Sequence, residues 1–230
     1  MREFIESSVF FGVMITFVSY ALGMVLKKKF KTAIFNPLLV SIVLIIVFLL
    51  ATGVSYDSYA VGSQYISYLL TPATICLAVP LYQQMELLKQ NYKAVIAGIL
   101  AGALSSMTCI LLLALLFHFG HEDYVTFLPK SITTAIGIGV SEELGGYVSV
   151  TVVVIVVTGV LGNIFAEQAL KLMRIKEPIA RGIAIGSASH AVGTAKAMEM
   201  GPIEGAMSSL SIVVSGILTV IGAPFFATII

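Results

Sequence analysis

The sequence predicts an all-α polytopic membrane protein with an inverted-repeat, transporter-like fold that contains broken or re-entrant helices. Three observations lead there: apolar runs long enough to cross a bilayer, shorter polar-tinged segments between them, and a likeness between two of those segments. Hydrophobic residues make up 58% of the 230 positions and charged residues 11%, with a mean hydropathy of +1.03. One soluble core does not need that much apolar surface. The net charge of +1 gives no reason to expect a nucleic-acid partner, because in a membrane protein the placement of charge matters more than its sum.

The first run, Ser7 to Leu26, is uncharged, is followed by Lys27, Lys28, Lys29 and Lys31, and lacks a small-residue cleavage site. It is expected as a retained helix rather than a signal peptide. Phe35 to Val54 and Ala94 to Phe117 also reach the roughly 20 residues that a span requires, and Val148 to Phe165 and Met207 to Ile229 complete five expected spans. Cys76 and Cys109 sit inside apolar stretches, which predicts buried thiols rather than a disulfide.

Three further segments differ: Tyr65 to Leu81 with Pro72 and Pro80, Leu128 to Gly146, and Gly186 to Gly201, GSASHAVGTAKAMEMG. Gly, Pro, Ser and Thr weaken a continuous helix there and free backbone groups that lipid cannot satisfy. Such segments belong around a protein-lined cavity.

Charge placement sets the expected topology. Lys27 to Lys31, then Lys89 and Lys93 before the Ala94 run, then Lys171, Arg174, Lys176 and Arg181 form three clusters that the positive-inside rule puts in the cytoplasm. With the N-terminus outside a cell membrane and Tyr65 to Leu81 spanning, the chain emerges outside near His121, Glu122 and Asp123, which read as loop charges, as does Asp57. Leu128 to Gly146 must then enter and return on one side, or the last cluster falls on the wrong face.

Within the second half, SITTAIGIGVSEELGG (131–146) aligns with SASHAVGTAKAMEMGP (187–202) without a gap, matching Ser131 to Ser187, Gly137 to Gly193, Glu143 to Glu199 and Gly145 to Gly201. IVVTGVL (155–161) then overlays IVVSGIL (212–218) after one residue of slippage. The expected organisation is one integral domain, 1–230. Its first half, 1–120, holds spans near 7–26, 35–54, 65–81 and 94–117, and the units 128–170 and 182–229 each join a hairpin to a span. The two units enter from opposite faces, as in secondary transporters whose broken helices meet at the midplane.

The expected substrate-binding residues are Ser131, Thr133, Thr134, Ser187, Ser189, His190, Gly193, Thr194 and Lys196. Hydroxyl donors, two cationic or protonatable groups and glycines that admit close backbone approach suit a small carboxylate. A Lys at the bilayer centre costs about 2.5 to 3.5 kcal/mol on insertion scales, so it belongs on a cavity. Glu142 and Glu143 are candidates for proton coupling. Plainer roles compete for each: His190 bonding a neighbouring helix, Lys196 snorkelling to the surface, the glycines serving close packing, the hydroxyls bonding backward along their own helices, and the glutamates lying in water. There is no HExxH or GxSxG motif, and Ser189 beside His190 points away from it on a helix, so no enzyme and no cofactor or metal is expected.

NPLLVSIVL (36–44), TGVSYDSY (52–59), PATICLAVPLY (72–82), LPKSITTAIGI (128–138) and ARGIAIGSASHAVGTAKAMEMGPIEGAMSSL (180–210) resemble the LrgB/CidB family over nearly the whole chain. SHAVGTAKA is closer to the CidB and YohK type. The resemblance implies two functions: holin-like or antiholin-like control of murein hydrolase export and cell lysis, with a small LrgA/CidA-like partner, or transport of glycolate, glycerate or pyruvate, as in the plastidial translocator. It puts function on Ser131, Thr133, Thr134, His190, Gly193 and Thr194, while family members vary at Glu142 and Glu143. Broken segments and an anion-suited midplane favour the carrier, which is expected to work by alternating access with a homodimer anchoring its scaffold.

Overall fold

The computed structural model describes residue 8 and residues 10–30 and 35–230. Among them the chain is helical and divides into two compact units, 1–76 and 77–230. The expected helix start at Ser7, and Lys31, lie outside the described residues.

In the first unit α1 (Phe11–Phe30) packs on α2 (Pro37–Thr52) and α3 (Tyr56–Ser67), and α4 (Leu70–Cys76) follows. Lys27, Lys28 and Lys29 form the last turn of α1. The limits of α2 are written in its caps. Asn36 accepts from the Leu38 and Leu39 amides, Pro37 opens the helix, and Gly53 closes it at φ 66°, where the absence of a Cβ makes the left-handed turn cheap. Tyr65 to Leu81, expected as one odd span, carries the end of α3, then α4 and the start of α5 (Ala78–Gln83), and the boundary between the two units falls inside it.

The second unit holds α5, α6 (Met85–Phe117), α7 (His121–Phe127), α8 (Thr134–Glu143), α9 (Val148–Leu172), α10 (Pro178–Met200) and α11 (Pro202–Ala227). Helix α6 begins well before Ala94, so Lys89 and Lys93 ride on it rather than preceding it, and His121 to Asp123 form the first turn of α7 rather than a loop. Helix α11 is the centre, packed on α10, α6 and α5.

Polarity is arranged from the inside out. The buried positions include Ser141, Thr151, Thr194, Ser208 and Ser211, while Val153, Val213, Leu112 and Phe117 are exposed. Lipid tails compete with Leu and Val for contacts, so small and hydroxylated residues hold the helix interfaces. The helices Phe11–Phe30, Met85–Phe117, Val148–Leu172 and Pro202–Ala227 are long and apolar enough to cross a membrane, as is the stretch Tyr56–Gln83. The chain is a multi-pass membrane protein. The same logic corrects the cysteine expectation: Cys76 and Cys109 are free and exposed, because an apolar run in a membrane protein faces outward as readily as inward.

Two segments of this unit fold back on themselves. A Cβ on Gly193 would lie 3.0 Å from Ile185 Cγ2 and 3.3 Å from the Ile185 carbonyl oxygen, whereas eight residues of straight helix rise about 12 Å. A Cβ on Gly137 would likewise lie 3.7 Å from Pro129 Cβ. Both ends of the first segment sit beside the start of α9: the Tyr147 amide donates to Thr126 Oγ1 at 2.8 Å, and His121 Nε2 is 3.3 Å from the Leu144 carbonyl. Both ends of the second sit beside the end of α9, where Arg181 and Met200 share a cavity with Glu167, Leu170 and Lys171.

Candidate functional site

The break in α10 is at Ser189 (φ −133°, ψ 15°) and His190 (φ 41°, ψ −141°). A residue other than glycine at φ 41° is strained and persists only where its surroundings hold it. Several contacts hold this one. His190, 4% exposed, has Nε2 3.0 Å from the Ile155 carbonyl on α9. Thr194 Oγ1 donates back to the His190 carbonyl at 2.9 Å and lies 2.7 Å from Ser208 Oγ on α11. Asn163 Nδ2 donates to the Val192 carbonyl at 2.8 Å.

Helix α9 is shaped to receive the break. A Cβ on Gly159 would lie 2.6 Å from the His190 ring, and one on Gly162 would overlap the Ser189 side chain. Gly193 supplies the inner clearance, since a Cβ there would lie 2.5 Å from Ser189 Cβ. Gly159, Gly162 and Asn163 were not singled out in the sequence, although their spacing of three and four puts them on one helix face. That face was the available signal.

A crevice runs through the second unit along α6. One part, of about 460 Å³, is lined by Asn91, Gly98, Gly102, Glu177, Ala184 and Ser187 among others. A second, also about 460 Å³, continues from Gly102, Ala184 and Ser187 to Ser105, Ser106, Cys109, Lys130 and Ser131. The shared residues make the two parts one crevice. In this second part Lys130 Nζ donates to Ser131 Oγ at 2.8 Å, and Ser131 Oγ is 2.9 Å from Ser106 Oγ. Ser187 Oγ bonds back to the Ile183 carbonyl at 2.7 Å, and a Cβ on Gly102 would lie 2.7 Å from that hydroxyl. Gly102 therefore lets α6 approach Ser187 closely.

The expected site residues are thus divided rather than gathered. Ser131 and Ser187 line the crevice. Ser189, His190, Gly193 and Thr194 are buried around the break, with Ser189 turned toward α9. Thr133 and Thr134 are half-buried at the start of α8, where Thr133 has extended geometry. Lys196 is paired with Glu167 at 2.7 Å and Glu199 at 3.2 Å, near the end of the unit where Arg181 lies 3.8 Å from Glu204. Glu142 and Glu143 are exposed at the end of α8.

Lys130 lines the crevice without being among the residues expected from the sequence. It belongs to none of the cationic clusters, and a lone lysine inside a moderately apolar, returning segment was the signal. The ammonium group and the Ser106–Ser131 pair can donate to an anion in this cavity, whereas the Ser187 proton is held by the Ile183 carbonyl.

Among the described residues no group of three or more His, Cys, Asp or Glu is placed to hold a metal. No solved structure matches the chain. Residues 16–229 match the LrgB-like family, and a chain of 230 residues matched over that length, with helices long and apolar enough to cross a membrane several times, belongs to this family.

Proposed function

We propose that the protein carries small monocarboxylates of the pyruvate, glycolate or glycerate class across the cell membrane by alternating access, with no cofactor. The observation that carries this is the crevice beside the two folded-back segments, which brings Ser106, Ser131, Ser187 and Lys130 to one cavity. A hole assembled from apolar helices has no use for such a cavity.

Further support comes from the fold-back contacts. Gly137 meets Pro129 as Gly193 meets Ile185, and these pairs occupy matching positions when the sequence alignment is extended upstream. Thr151 donates to the Thr126 carbonyl at 3.0 Å, and at the matching positions Met207 packs on Gly182. Because the segments have their ends at opposite ends of α9, an inverted repeat of hairpin plus span is the economical account of both. In this reading the lysine clusters face the cytoplasm and the N-terminus lies outside, the long helices form the scaffold, and a homodimer anchors it.

The decisive experiment is reconstitution of the chain alone in liposomes, measuring uptake of labelled pyruvate, glycolate and glycerate beside retention of a trapped large dye. Saturable uptake with the dye retained is expected. Dye loss without saturation would replace the carrier by the holin-like function, and lysis control with an LrgA/CidA-like partner would then be the better account.

A further inference from the structure

We propose that Lys130 is the group that holds the carboxylate in the crevice, and that its single charge makes the site selective for monoanions over dianions. This rests on the carrier reading and adds to it the residue and the valence. The cations on the two folded-back segments differ in one respect. Lys196 has Glu167 and Glu199 within 3.2 Å, and Arg181 has Glu204 at 3.8 Å. Lys130 has no carboxylate within 4.0 Å among the described residues; its hydrogen bond goes to Ser131 Oγ.

A hydroxyl satisfies one of the three ammonium protons and none of the charge. Withdrawing a cation from water costs several kcal/mol unless an opposite charge accompanies it, so a partly buried, uncompensated Lys130 creates standing demand for an anion. The neighbouring groups are suited to share that anion. With Ser131 Oγ accepting from Lys130, its own proton is left for Ser106 or for a bound carboxylate. Ser105 and Ser187 line the same space; their own protons go to the Gly102 and Ile183 carbonyls, which leaves their oxygens to accept from a substrate's 2-hydroxyl. One cation neutralises one carboxylate. The second carboxylate of a dicarboxylate meets only hydroxyls and apolar groups there, and carries its desolvation cost uncompensated.

Cys109 lines the same part of the crevice, which supplies a reporter. The protein has two cysteines, so Cys76→Ser leaves Cys109 as the single thiol. In liposomes the rate of alkylation of Cys109 by N-ethylmaleimide is measured against pyruvate, glycolate and malate at a pH where malate is doubly charged. Pyruvate and glycolate are expected to slow alkylation saturably, and malate to require at least about tenfold more, the lower end of what one charged hydrogen bond contributes. Lys130→Gln should lose the protection, and Lys130→Arg should keep most of it.

Equal protection by malate and pyruvate in the parent overturns the valence claim without relying on any lysine variant. Saturable pyruvate uptake with an unchanged KM in a folded Lys130→Gln overturns the lysine alone and leaves the carrier standing. Absence of both uptake and protection in the parent overturns the carrier and the site together. A Cys109 that does not react at all removes water from the crevice, and the proposal with it.

Discussion

His190 combines two roles that pull in different directions. Its ring reaches the Ile155 carbonyl, while its backbone at φ 41° favours glycine over any side chain. His190→Ala loses the hydrogen bond and keeps the strain, so thermal unfolding in detergent should show a loss of about 1–3 kcal/mol. His190→Gly loses the same bond but relieves the strain, and should fall well short of that loss. Equal stability of the two variants would mean that the break carries no strain. The sequence flagged His190 and Thr194 as special but could not assign their purpose. Polar atoms that hold a break and polar atoms that hold a ligand are the same residue types, and only their partners distinguish them.

Elements were legible to different degrees for a physical reason. Long apolar runs such as those of α6, α9 and α11 satisfy their own backbone, so composition alone located them, with ends off by several residues at Met85 and Leu172. The break in α10 was legible as a region, because glycines and hydroxyls accumulate there. Its seat on α9 was not, since Gly159 and Gly162 look like ordinary packing glycines until the partner helix is known. Gly162→Val should therefore drive Ser189 off α9 and destabilise the protein by about 1–3 kcal/mol, the usual range for overpacking. Gly139 lies inside α8 with open space around its missing Cβ, and Gly139→Ala should be neutral or stabilising by up to about 1 kcal/mol. Thermal unfolding of the two variants side by side tests this; comparable losses would mean that the α9 contact is not specific.

For the whole molecule, the expectation that Leu128 to Gly146 enters the membrane and returns on one side meets a definite geometry. His121 lies 3.0 Å from the Ile230 carbonyl as well as 3.3 Å from that of Leu144. Single cysteines at His121 and Glu143, in a chain lacking Cys76 and Cys109, should react with a membrane-impermeant reagent from the same side of sealed vesicles. Reaction from opposite sides would require the segment to cross fully, and the returning hairpin would be lost. Which face of the membrane this is, and how many copies assemble, are properties of the surroundings rather than of contacts within one chain, and only the lysine clusters spoke to the first.

Beyond Lys130 the interior changes character. Tyr124, Leu128 and Ile132 are almost fully buried with Met107, Ile110, Val140 and Ala223 in one apolar cluster, toward the end of the unit that carries His121. Those side chains offer a hydrated ion no polar partner, so passing among them means shedding its water. Liposomes loaded with the protein alone are therefore expected to hold an imposed membrane potential, and its collapse would show that a different arrangement of the same helices opens a path.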